Sequence, residues 1–62
     1  MIYDVNADGK TYFVTARSKA AALDYFRRCC PWPQMVTASR IVDKQRLEYI
    51  KNYCYVWRAE DG

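Results

Sequence analysis

The chain contains no histidine. Histidine is the side chain that gains and loses charge near neutral pH, and it is the usual base of Ser–His and Cys–His catalysis. Those arrangements are therefore excluded, and so is His-based metal chemistry. Glycine is almost as scarce, with two in 62 residues. A loop that cradles phosphate needs several, so no glycine-rich phosphate loop is present. Cysteine stops at three: Cys29, Cys30 and Cys54. An odd number cannot close into a disulfide framework, and a bridge between the adjacent Cys29 and Cys30 would be strained. Three thiols without histidine also fall short of the roughly four ligands that zinc requires. The expectation is three reduced thiols packed in or near the core of a protein from a reducing compartment, with no metal and no cofactor.

Long apolar runs are missing too. Nothing approaches the roughly 20 residues that cross a bilayer, and Met-Ile-Tyr-Asp lacks the basic and apolar regions of a signal peptide. A soluble, cytoplasmic protein is expected, without a membrane partner. Neither sign of charge dominates: the net charge is +3. That rules out the acidic surface of a DNA mimic and falls short of the basic balance of a committed nucleic-acid binder. The carboxylates Asp4, Asp8, Asp24, Asp43, Glu48, Glu60 and Asp61 are scattered. No two have a spacing that would place a pair on one helix face inside a pocket. So short a chain also struggles to close an apolar pocket of about 300 Å3 or more. No enzymatic activity is expected.

Aromatic residues, by contrast, are plentiful at 16%. They matter because a chain of this length buries only about 60% of its unfolded surface, and each aromatic ring adds about 150–250 Å2. The 62 residues make one domain. Its clearest local signal is Asp8-Gly9 between two alternating runs, since a two-residue hairpin loop needs positive φ at both positions. That loop pairs Ala7 with Lys10, Val5 with Tyr12 and Tyr3 with Val14. Tyr3, Val5, Tyr12, Val14 and Ala16 then share one face. Asp4, Asn6, Thr11 and Thr15 share the other, with Ile2 and Phe13 as apolar outliers among them.

Ser18 predicts the cap of a first helix, whose buried stripe is Ala22, Tyr25, Phe26, Cys29 and Cys30. Pro31 stops that helix near Cys29, and Pro31-Trp32-Pro33 forms a stiff connection. A β-branched stretch predicts a third strand over about residues 35–42. Asp43 caps a second helix from Lys44 to about Tyr53, with a Val42–Leu47 hydrophobic staple. Leu47, Ile50 and Cys54 form its stripe, with Tyr49 and Tyr53 beside it. Cys54 to Ala59 alternates again as a short fourth strand, and Glu60-Asp61-Gly62 is a frayed tail. The fold class is α+β: a small, single-layer, antiparallel-rich sheet packed against two helices in the order ββαβαβ.

What remains for function is a set of basic and aromatic side chains. Arg27, Arg28 and Trp32 follow one another around the end of the first helix, and Tyr55 and Trp57 share a face of the last strand. Arginine and tryptophan are enriched in binding hot spots, so these five are the expected partner contacts. Arg40, Lys44, Arg46 and Lys51 cluster around the start of the second helix and form an alternative, phosphate-binding set. A last strand at the sheet edge would also permit a homodimer.

The run Tyr12-x-Val14-x-Ala16-x-Ser18-x-Ala20-x-Ala22, behind a strand with an Asp-Gly turn, resembles small uncharacterised proteins of phages and prophages. The resemblance covers the first thirty residues, and the rest only in layout. Such proteins are often host-takeover or anti-defence factors, anti-CRISPR proteins among them. The resemblance thus implies a non-enzymatic protein that binds and inhibits a host nucleic-acid-processing or defence complex, whether protein or ribonucleoprotein. The alternatives are a DNA- or RNA-binding accessory protein and a self-associating structural domain. Pro31-Trp32-Pro33 and the aromatic C-terminus depart from the resemblance.

Overall fold

Asp8 and Gly9 both adopt positive φ, 51° and 89°. This two-residue turn joins β1 (Ile2–Ala7) to β2 (Lys10–Thr15) in the expected register, Ala7 opposite Lys10 and Tyr3 opposite Val14. The computed structural model describes residues 1–59, so the tail expected at Glu60-Asp61-Gly62 lies outside the described residues. Ser18 caps α1 (Lys19–Cys29), its Oγ accepting from the Ala21 N–H at 3.1 Å. The Cys30 N–H closes the last turn on the Phe26 carbonyl at 2.8 Å, just ahead of Pro31. Asp43 caps α2 (Lys44–Tyr53), its carboxylate accepting from the Gln45 and Arg46 N–H groups. β3 (Val36–Arg40) and β4 (Val56–Arg58) complete the α+β order ββαβαβ.

The four strands form one sheet in the order β3-β1-β2-β4. β1 is antiparallel to β2 and β3, and β2 is parallel to β4. It follows that β2, β3 and β4 all run in one direction. α1 carries the chain from β2 past β1 to β3, and α2 brings it back past β1 and β2 to β4. Crossovers between parallel strands are almost always right-handed, and two of one hand running in opposite directions across a sheet must use opposite faces. α1 and α2 do cover opposite faces. The dimensions also agree: three strand spacings come to about 14 Å, and a helix of ten residues spans about 15 Å.

Under α1 lies the larger cluster, with Tyr3, Val5, Ala7, Val14, Ala16 and Ala38 from the sheet side and Ala22 and Phe26 from the helix. Under α2 lies a smaller one of Ile2, Ile41 and Ile50, edged by Phe13, Leu47, Cys54 and Val56. Phe13 is thus no lone outlier on a polar face. It marks the place where that face receives a helix.

Four local expectations need correction. Val42 is 72% exposed and forms no staple; Ile41, one residue earlier, turns into the small cluster instead. The third strand is Val36–Arg40 rather than residues 35–42: at its start the Met35 N–H and carbonyl are both taken by Asp8, and at its end Ile41 turns into the small cluster. The fourth strand is shorter than Cys54 to Ala59, although the Ala59 N–H still donates to the Thr15 carbonyl at 2.9 Å. Cys29 is exposed rather than packed, while Cys30 joins the large cluster and Cys54 the small one.

Candidate interaction surfaces

The hairpin tip is tied to the loop that leaves α1. The Asp8 carboxylate accepts from the Met35 N–H at 2.9 Å and the Gln34 N–H at 3.1 Å. The Asp8 N–H in turn donates to the Met35 carbonyl at 3.0 Å. The bonds to the Met35 and then the Gln34 N–H hold the Asp8 carboxyl below its ordinary value, because both favour the ionised form. This clamp fixes the Pro31–Gln34 loop, from which Trp32 projects, 75% exposed. Arg27 and Arg28 are exposed in the last turn of α1. Arg28 is already engaged, its Nη2 lying 2.6 Å from Asp24 Oδ2. The sequence offered Asp8 only as a turn residue; its carboxylate reaches 26 residues along the chain.

Tyr55 and Trp57, expected to act together, are divided by the fold. Trp57 lies opposite Val14 and joins the cluster under α1. Its ring centroid is 5.3 Å from Phe26, 5.7 Å from Tyr12 and 6.4 Å from Tyr25, edge-on to the last two. Tyr55 remains 80% exposed in the link between α2 and β4. It borders a cleft of about 370 Å3 with Thr11, Tyr12, Phe13, Cys54 and one edge of Trp57.

Tyr49 and Tyr53 add exposed aromatic surface on α2 itself. Their rings lie 5.1 Å apart along exposed α2, and Tyr53 is 76% exposed. Residues three and four apart share a helix flank, so Arg46, Tyr49 and Tyr53 form one stripe. Arg46 fixes its orientation, reaching down to Asp4 on the sheet at 3.3 Å. The pairing of Tyr49 with Tyr53 outside the buried stripe is the signal in the sequence for this surface. It reads as flanking packing until the helix is placed.

The opposite flank of α2 borders a groove of about 620 Å3. Ile2, Ile41, Leu47, Cys54 and Val56 line it, together with Met1, Thr15, Arg40, Lys51 and Arg58. Of the alternative phosphate-binding set, then, Arg40 and Lys51 come together here. Arg46 belongs to the other flank and is paired with Asp4, and Lys44 stands exposed at the start of α2.

Among the described residues, no helix is long and apolar enough to cross a membrane, and no three metal-ligating side chains are grouped. Comparison with protein-family models, with curated proteins and with solved structures finds no match.

Proposed function

We propose that this chain is a small, non-enzymatic protein of phage or mobile-element origin that binds and inhibits a host nucleic-acid-processing or defence complex in the host cytoplasm. The observation that carries the reading is the exposure of Tyr49, Tyr53, Tyr55 and Trp32 in a domain that packs its other aromatic rings. Tyrosine and tryptophan supply large, rigid contact area at low entropic cost, and they dominate binding energy at protein interfaces. Inhibition then needs no chemistry from this chain, since occupying a functional surface of the partner suffices. Tyr49, Tyr53 and Tyr55 form the main contact, with Arg27, Arg28 and Trp32 as a second one. Trp57, packed under α1 on the other face, contributes only the edge it shows beside Tyr55.

Direct nucleic-acid binding is the competing reading. Its weakness is that Arg40, Lys44, Arg46 and Lys51 are spread over both flanks of α2, with Arg46 engaged by Asp4.

The test is to express the protein in a bacterial host that carries a defence system active against a plaque-forming phage. Restored plaquing is expected, with a host complex co-purifying in fixed stoichiometry. The Tyr53→Ala/Tyr55→Ala double variant should stay folded, because both side chains are exposed, and should lose both effects. Unchanged plaquing across a panel of defence systems, with no stoichiometric partner, overturns the reading.

A further inference from the structure

The groove beside α2 has a composition that neither the tyrosine surface nor the phosphate-binding set accounts for. Its cations come from three elements: Arg40 ends β3, Lys51 lies on α2 and Arg58 ends β4. They converge only because β3 and β4 run parallel at opposite edges of the sheet while α2 spans between them. The floor beneath is apolar, and among the described residues no aspartate or glutamate lines the groove. Long cationic side chains lay their methylene stems along such walls and keep their charged heads at the rim. At about 620 Å3, the groove falls within the range of ligand sites, about 300–1,000 Å3.

We infer that this groove binds an acidic protein segment, in which an apolar side chain seats against the half-buried Leu47, Cys54 and Val56, over the buried Ile2 and Ile41, and flanking carboxylates meet Arg40 and Lys51. The inference rests on the reading of the chain as a binding module and names the chemistry of what it binds. Charge complementarity selects an anion. The floor then selects among anions, because a nucleic-acid backbone would satisfy the rim and leave apolar surface wet.

A fluorescein-labelled Asp-Glu-Leu-Phe-Glu-Asp peptide, titrated against the purified protein and read by anisotropy, tests this directly. Saturable binding is expected, and it should weaken as salt rises from about 50 to about 300 mM because the rim charges are screened. Lys51→Glu should weaken it about tenfold, since it turns a favourable ion pair into a repulsive one. Lys44→Glu makes the same change in net charge outside the groove and should leave binding within about twofold. Both side chains are exposed, so circular dichroism should be unchanged in both variants. The inference is overturned if Lys51→Glu and Lys44→Glu behave alike, or if a peptide with serine for leucine and phenylalanine binds equally well. Tighter binding of a six-nucleotide single strand also overturns it and gives the groove to nucleic acid. Peptide failure alongside intact, Tyr53- and Tyr55-dependent capture of a host complex removes the groove proposal alone. Loss of that capture with peptide binding retained removes only the inhibitor reading.

Discussion

Beneath α1 the sheet side buries Tyr3, Val5, Ala7, Val14, Ala16 and Ala38, and Phe26, Tyr12 and Trp57 form a mutually contacting triangle of rings. Beneath α2 it buries Ile2 and Ile41, which meet Ile50. The helices are nearly equal in length, at 11 and 10 residues, so helix size does not explain the difference. Topology does. α1 passes one strand and can lie along the sheet. α2 must travel from one edge to the other, so it lies across the strands and leaves sheet surface uncovered on both of its flanks. One flank becomes the cationic groove and the other the tyrosine stripe. The surfaces available for binding are a geometric by-product of returning the chain to β4 by the shortest helix that reaches it.

The largest effect expected from this asymmetry is at Phe26. Truncating a fully buried phenylalanine costs about 3–5 kcal/mol, and a domain of this length has about 3–9 kcal/mol in all. Phe26→Ala should therefore be largely unfolded at 37 °C by circular dichroism. Ile50→Ala should cost about 2–4 kcal/mol, toward the lower part of the range for such truncations, because side chains beside an open groove can relax into the gap. Urea denaturation of both variants measures the difference. Equal losses would break the comparison and make the α2 side as much a core as the α1 side.

Much of this asymmetry was written in the sequence and some of it was not. The hairpin register follows from Asp8-Gly9, and both helix starts follow from Ser18 and Asp43, because turns and caps are decided by neighbours in the chain. The faces taken by the helices are decided by strand order, which involves residues tens of positions apart. Ile2 and Phe13 on an otherwise polar face carried that information in part. Without knowing that β4 pairs with β2, they read as exceptions. The candidate surfaces were legible to the same degree. Alternation put Tyr55 and Trp57 on one face, but Tyr55 lies outside β4, and it is the rings of α1, Tyr25 and Phe26, that cover Trp57 and leave Tyr55 exposed. Arg40, Lys51 and Arg58 are unremarkable along the chain and meet only after α2 has crossed the sheet.

A smaller effect, confined to the α1 side, comes from the Asp8 clamp. Its carboxyl is held below the ordinary value of 3.8 by N–H groups that exist as partners only in the folded chain. The clamp therefore stabilises the fold fully above that pH, and its contribution is lost as pH falls from there through the lowered value. Asp8→Asn is the informative substitution. Asparagine tolerates positive φ as aspartate does, so the turn keeps its backbone while the charge and one of the two acceptor oxygens are removed. Thermal unfolding should show wild type above Asp8→Asn at neutral pH, the gap narrowing below about pH 4 and closing in stronger acid. The clamp anchors the loop leaving α1 and touches nothing beneath α2. The reactivity of Cys54, which lies against the small cluster, should therefore be the same in both proteins while folded. A gap that stays constant into strong acid would mean that Asp8 acts through turn geometry and not through charge. A change in Cys54 reactivity would mean that the two faces are coupled, and the division between scaffold and binding side would have to be given up.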